Sequence, residues 1–276
     1  IVHSGADTWM DAVGPKGPYS PRGDKANDIQ ALWIMALDGA AKMADLNPEY
    51  VDLAKLSAGN RDRVKNEFKK TFLSRNLFRS IVYDAIYENA DHSDQIRVNQ
   101  LFTLPVISEY KIKAQVIEQV TKKLGTPYGP LSLSTDDPWF HPYHKMEPFY
   151  EQDAAYHNGI IWVWNTGDYV GSLLRYADVD MGFEIVQNYS DRVLSDISLG
   201  TLPELYDAFP RNSGWSKSYP NRDEFKNISR FDQMTLMSES GLNVEMYPPG
   251  SGTFSQAWSL SEYIRMLVEH LPGIRF

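Results

Sequence analysis

Two carboxylates stand out among the 36 acidic residues because of the residues that surround them. Asp11 lies in the segment DTWMDA, and Glu204 lies in GTLPEL, just after a predicted helix end. Both segments are turn-like, and apolar or aromatic residues flank each carboxyl group. An apolar setting disfavours the ionised form of a carboxyl, which suits a general acid. Spacing alone does not distinguish these two residues from the other acidic residues.

Other chemistries find little support in the sequence. The absence of Cys excludes disulfides, thiol catalysis and Cys-ligated metals. His141 and His144 form a His-x-x-His pair near Asp136 and Asp137, but a closed metal site needs three or four ligands. The chain has neither a phosphate-binding glycine loop nor a Gly-x-Ser-x-Gly segment. We therefore expect no metal and no organic cofactor.

Charge and composition narrow the classes of partner. The formal net charge of −9 argues against a nucleic-acid partner, which would need a basic face. No stretch of 18 apolar residues is present, so we expect no transmembrane helix and no membrane partner. Aromatic residues make up 13% of the chain, which fits either a well-filled core or flat platforms for sugar rings.

Apolar spacing predicts a mainly α-helical chain without βαβ alternation. The first helix, at 25–44, is apolar nearly all round, as is typical of a buried helix. A second helical stretch opens at Pro48 and should break near Gly59, and an amphipathic helix should cover 60–74. The remaining predictions are a short extended segment within 77–89 and helices at 98–110, 113–124, 156–175, 180–197 and 254–271.

Two long segments, 125–155 and 207–253, interrupt these helices and are rich in Pro and aromatic residues. Irregular loops beyond about 12–15 residues are uncommon unless they are functional or disordered. Disordered segments are poor in aromatic residues. We therefore expect both segments to be ordered and to line a site.

Six blocks of the sequence, in order, resemble the amylo-α-1,6-glucosidase (glycogen debranching enzyme) C-terminal family. The first block is DTWMDA followed by PRGDKANDIQALWIMAL, within residues 7–37. The others are DQIRVNQLFTLP (94–105), STDDP (134–138), YHNGIIWVW (156–164), LGTLPEL (199–205) and FSQAWSL (254–260). Because the blocks are spread over about 250 residues and keep their order, the resemblance is specific.

The resemblance implies an all-α fold, the (α/α)6 toroid of two concentric rings of helices. It also implies that Asp11 is the general acid and Glu204 the general base of an inverting glycoside hydrolase acting on α-1,6-linked glucose. Inversion places a water between base and sugar, so the two carboxyls should lie about 6.5–9.5 Å apart. The implied partner is an α-glucan or oligosaccharide substrate.

Further matched residues are expected to contact the sugar. Hydrogen bonds to hydroxyl groups are predicted for Arg22, Arg97, Asn99, Gln100, His157 and Gln256. Flat apolar faces are predicted for Trp9, Trp162, Trp164 and Trp258. For some of these residues a structural role is an equal alternative. Trp164 and Trp258 lie in predicted helices and would suit the core, and Arg97 and Gln100 would suit helix caps or bridges.

The chain departs from the family pattern in two residues and in length. Val163 replaces a Pro, and Asp28 replaces a Glu. Twelve helices need roughly 300–360 residues, so residues 1–276 are expected to form the C-terminal part of a single toroid domain. A missing N-terminal segment or a partner chain would complete the ring. The lack of Cys and of a signal peptide favours a cytoplasmic protein, although an export signal would precede the first residue if one exists.

Two alternative functions stay open. A trehalase-like or oligosaccharide α-glucosidase would share the fold and the carboxylate pair. A non-catalytic glycan-binding fragment would keep the sugar contacts without turnover.

Overall fold

The computed structural model describes residues 1–43, 46–74, 80–89, 91–145, 150–196, 199–210 and 248–271. The chain divides into two compact units, unit 1 (Ile1–Lys122) and unit 2 (Lys123–Phe276). Long helices and two-residue strands make up both units, so the prediction of a mainly helical chain is confirmed. Within the described residues, no helix combines the length and apolarity needed to cross a bilayer.

Unit 1 is built on two packed helices, α1 (Asn27–Ala41) and α2 (Val51–Phe72). A hairpin of β1 (Val13–Gly14) and β2 (Gly17–Pro18) precedes them. An antiparallel sheet joins β3 (Lys25–Ala26), β4 (Ala85–Ile86) and β5 (His92–Ser93). A 3-10 helix (Val98–Thr103) packs on α1, and it is followed by α3 (Tyr110–Leu124), whose last two residues belong to unit 2.

Three expectations for unit 1 were wrong in part. α2 runs through Gly59, because buried Phe68 and Phe72 anchor the helix and outweigh a glycine cost of about 1 kcal/mol. The helix expected at 98–110 is a 3-10 helix that ends before Pro105, which has no N–H to continue it. α1 is not buried all round: α2 and the 3-10 helix pack on it, but Leu32 is 49% exposed and, among the described residues, apolar side chains on that side of α1 stay open to solvent.

Unit 2 places a small sheet among its helices. The elements before the sheet are the hairpin of β6 (Gly125–Thr126) and β7 (Gly129–Pro130), and α4 (Gln152–Tyr156). The sheet has the order β8 (Ile161–Trp162), β9 (Leu205–Tyr206) and β10 (Gly250–Ser251), all antiparallel. The helices are α5 (Thr166–Tyr176), α6 (Val179–Ser195) and α7 (Ala257–Arg265), which continues as a π-helical turn (Met266–His270).

The helix expected at 156–175 is interrupted by β8 and by a 3-10 helix (Val163–Asn165). Gly159 has φ +151°, and a side chain there would overlap the carbonyl of His141, so the chain is not helical at this residue. The helix at 180–197 is confirmed by α6, and the one at 254–271 by α7 and its π-turn. Of the two long segments, 146–149 and 211–247 lie outside the described residues, whereas 131–134 lie in the core.

Candidate active site

Asp84 is the centre of a buried polar network in unit 1. Its carboxylate accepts hydrogen bonds from Arg22 Nε at 2.7 Å and from Asn99 Nδ2 at 2.9 Å. Arg22 also donates to Asp28 Oδ1 at 2.8 Å. Arg97 Nε lies 3.7 Å from Asp84 Oδ2. All five side chains are buried, so the paired charges compensate one another where water does not reach them.

The charge of Arg22 is fixed by this network. Burial lowers the pKa of the guanidinium, but Asp28 and Asp84 raise it by more, and the net pKa is above the ordinary value. Because the guanidinium already donates to Asn27, Asp28 and Asp84, its described contacts are structural. Asp28, which stands where the family pattern has a Glu, therefore still provides a carboxylate that accepts a hydrogen bond from Arg22.

The network around Asp84 also contacts the residues that precede Asp11 in the chain. Trp9 Nε1 donates to Asn99 Oδ1 at 2.8 Å, and Met10 is buried with its sulfur 3.5 Å from Asn99 Nδ2. The 3-10 helix that carries Asn99 therefore holds the backbone on the N-terminal side of Asp11. On the other side the chain enters the β1–β2 hairpin, where Tyr19 N donates to Ala12 O at 2.9 Å.

Asp11 itself is exposed. Trp9 is half-buried, and its indole N–H points to Asn99 rather than into solvent. Two anchored neighbours thus fix the backbone beside an exposed carboxyl group in unit 1.

Glu204 is only 7% exposed, and three donors reach its two oxygens. Tyr156 Oη donates to Oε1 at 2.7 Å. Thr253 donates to Oε2 from its backbone N at 3.0 Å and from Oγ1 at 3.3 Å. A carboxylate offers about four lone-pair positions, so one remains for a water or a ligand hydroxyl.

The three-stranded sheet positions Glu204. The residue lies just before β9, and its backbone N donates to Thr253 O at 2.8 Å. Gly252 turns the chain after β10 with φ +71°, and a Cβ there would overlap Oε2 of Glu204. Glycine is therefore required both for the turn and for the close approach of the carboxylate.

An aromatic cluster packs around the Tyr156 ring. The Tyr156 ring stacks on His144 with centroids 5.1 Å apart and meets Trp162 edge-on at 4.8 Å. His157 stacks on Trp162 at 5.2 Å with an interplanar angle of 8°. His157 and Trp162 are both buried, and Trp162 Nε1 donates to Tyr156 O at 2.6 Å. The cluster brings the YH and IWVW parts of one sequence block to Glu204.

The remaining predicted contact residues lie in varied surroundings. Gln100 is buried, and its side-chain amide has no hydrogen-bond partner among the described residues. Gln256 occupies the N-cap position of α7. Its backbone N donates to the O of Leu202, which lies two residues before Glu204, at 2.9 Å. Trp258 is 48% exposed on α7, so its indole face is open to solvent. Trp164 is half-buried in the 3-10 helix.

His141 and His144 make protein contacts instead of facing one another as ligands. His141 stacks on Tyr150 with centroids 4.4 Å apart, and His144 Nδ1 lies 2.6 Å from Ser251 Oγ. No group of three or more metal-ligating side chains converges within the part of the chain that the structure describes.

Sequence reasoning missed three residues of these networks. Asp84 lies in an apolar run, IVYDAIY, where a carboxylate signals burial with a partner. Tyr156 lies beside His157 in the YH block, but nothing in the sequence indicates that its hydroxyl reaches Glu204. Thr253 carried no signal, because its contribution includes a backbone N–H.

Unit 1 contains Asp11, Arg22, Arg97 and Asn99, and unit 2 contains Glu204, His157 and Trp162. Each unit thus gathers residues from several sequence blocks. The separation of the two carboxyls stays a prediction.

Three comparisons with known proteins bear on this arrangement. A solved structure described as a sialidase matches 86% of this chain with a TM-score of 0.51 at 15% identity, a likeness of fold alone. This chain covers 22% of that structure. The search of curated proteins finds no match.

The family comparison is specific. The model of the amylo-alpha-1,6-glucosidase family matches residues 1–217. This range includes Asp11, Glu204 and every sequence block quoted above except FSQAWSL. The match confirms the resemblance, and this chain belongs to the amylo-alpha-1,6-glucosidase family.

Proposed function

We propose that this chain is an inverting glycoside hydrolase that removes α-1,6-linked glucose from glycogen or a related α-glucan. Family membership supports a glycosidase-type function. The observation that carries the proposal is the setting of Glu204, a buried carboxylate with three donors and one lone-pair position to spare. That setting suits a base that must orient a water molecule.

Asp11 is the proposed acid. Its exposed carboxyl protonates the glycosidic oxygen as the bond to the anomeric carbon breaks. The bound sugar covers the exposed Asp11 carboxyl and separates it from bulk water. The anchored Trp9 provides a half-buried ring beside it.

Glu204 is the proposed base on the opposite face of the sugar. It takes a proton from water, whose oxygen attacks the anomeric carbon and forms the β-anomer of glucose. Gln100 supports a polar sugar subsite, because a hydroxyl group or water would satisfy its buried amide. No metal or cofactor takes part in this scheme.

The fold belongs to the same proposal. We infer that the helices form part of an (α/α)6 toroid, and the uncovered apolar side of α1 supports a further helical element beside it. A missing segment or a partner chain would supply that element.

The test is glucose release from panose, isomaltose and phosphorylase-limit glycogen, followed by proton NMR within the first turnovers. We expect β-glucose first, and a release that is slower by about 10²–10⁴-fold in Glu204→Gln. Early α-glucose would overturn inversion. Turnover of trehalose or maltose but not of α-1,6 substrates would favour the related glucosidases, and binding without any turnover would favour a glycan-binding role.

A further inference from the structure

The Tyr156 hydroxyl is the donor that holds the Oε1 atom of Glu204. It ends α4 and donates to Oε1 at 2.7 Å, whereas Thr253 serves only Oε2. We propose that Tyr156 is a positioning residue for Glu204, fixing the plane of the carboxylate so that the remaining lone pair faces the attacking water. This inference rests on the proposed function.

A single held oxygen would leave the carboxylate free to rotate. The terminal torsion of a Glu side chain is broad, so contacts at Oε2 alone define its plane poorly. A donor at Oε1 adds a second fixed point. Because misplacement of a reacting group by about 1 Å can cost about 10²-fold in rate, this second point matters to catalysis.

The Tyr156 side chain is itself held rigidly. Its ring has His144 stacked at 5.1 Å and the edges of His157 and Trp162 at 4.8 Å each. Its backbone carbonyl accepts the Trp162 indole N–H at 2.6 Å. Ring contacts on several sides keep the phenol in place, so the position of its hydroxyl is set before substrate arrives.

Tyr156 acts without giving up its proton. In the hydrolytic step the proton moves from water to Glu204, and the Tyr156 hydroxyl stays a donor throughout. Removal of the hydroxyl should therefore slow the base-assisted step and leave sugar binding intact.

The test compares Tyr156→Phe with wild type on panose and on α-glucosyl fluoride. Fluoride leaves without protonation, so the second substrate reports on the base and not on the acid. We expect kcat to fall about tenfold on both substrates with KM nearly unchanged, because one hydrogen bond to a charged group is lost.

Tyr263→Phe is the matched control. Its hydroxyl bonds to Ser190 Oγ at 2.9 Å, between α7 and α6, and makes no contact with Glu204. The control should keep wild-type kcat and KM on both substrates. Both Phe variants should keep melting temperatures within a few degrees of wild type, since the rings remain.

Three kinetic results would overturn the role of Tyr156: an unchanged kcat, a rise in KM alone, or a loss on panose that is absent with the fluoride. If wild type turns over neither substrate, the proposed function fails. The hydrogen bond from Tyr156 to Glu204 is then tested by a measurement that needs no turnover. The carboxyl ¹³C signal of Glu204, assigned by its loss in Glu204→Gln, should shift in Tyr156→Phe. An unshifted signal would overturn the inference.

Discussion

Asp11 and Glu204, the two predicted catalytic carboxyls, have opposite settings. Asp11 is exposed, and the polar network of unit 1 reaches it through its neighbours Trp9 and Met10. Glu204 is 7% exposed and receives three hydrogen bonds on its own oxygens. The difference suits the two proposed roles. The proposed acid, Asp11, is covered by the substrate when it binds, whereas the proposed base, Glu204, must orient a water molecule before the reaction.

Replacing each carboxyl in turn should have the largest effect and would test this division of roles. We expect Glu204→Gln to lower kcat by about 10²–10⁴-fold on both panose and α-glucosyl fluoride, since both reactions need the base. Asp11→Asn should cost a similar factor on panose and little on the fluoride. Steady-state kinetics measure both. An equal loss on the two substrates for Asp11→Asn would contradict its role as acid.

Removal of the network centre in unit 1 should come next. Asp84→Ala leaves Arg22 buried without one of its two carboxylates, and we expect the free energy of unfolding to fall by about 3–5 kcal/mol. Urea denaturation measures the change. Asp38→Ala, which removes an exposed carboxylate from Lys42 and Arg61, serves as the control and should change little. Similar losses in both variants would show that burial is not the cause.

Gly252→Ala tests how closely the Glu204 carboxylate is enclosed. Gly200 has a similar backbone, with φ +79°, but space for a Cβ, so Gly200→Ala carries only the backbone strain of about 1–2 kcal/mol. Gly252→Ala adds the overlap with Oε2, and we expect a further loss of stability and a kcat reduced about tenfold. Thermal unfolding and kinetics on α-glucosyl fluoride measure these effects. Identical behaviour of the two variants would mean that the carboxylate has room to move.

The smallest effect should come from the indirect hold on Asp11. Trp9→Phe removes the N–H that bonds Asn99, at a cost of about 0.5–1.5 kcal/mol, and should lower kcat a few-fold on panose but not on the fluoride. Trp33→Phe on the exposed side of α1 is the control. A loss on the fluoride as well would mean that Trp9 contacts the sugar instead of supporting the acid.

The main helices could be predicted from the sequence because their signals are local. The apolar residues of α1 and α6 repeat at helical spacing, and both helices are present. The predicted break at Gly59 is wrong, because the packing of residues further along α2 outweighs the low helix propensity of glycine. The prediction of a continuous helix from Tyr156 onward is wrong for a related reason, since Gly159 turns the chain where the backbone of His141 approaches.

The network partners could not be predicted, because they are distant along the chain. Arg22 and Asp84 are 62 residues apart, and Tyr156 and Glu204 are 48 residues apart. Neither pair has a spacing that distinguishes it from chance. The family resemblance identified Asp11 and Glu204, but it supplied no information on which donors hold them.

The three-stranded sheet next to Glu204 also determines when the hydrogen bonds to its carboxylate form during folding. Its three strands have two residues each and come from residues 161–162, 205–206 and 250–251. Strands this short have no stability alone, and closing loops of about 40 residues costs chain entropy before any pairing is gained. The hydrogen bonds to Glu204 therefore form late, once β8, β9 and β10 have met, and a partly folded chain has a glutamate at position 204 whose carboxylate is not yet oriented.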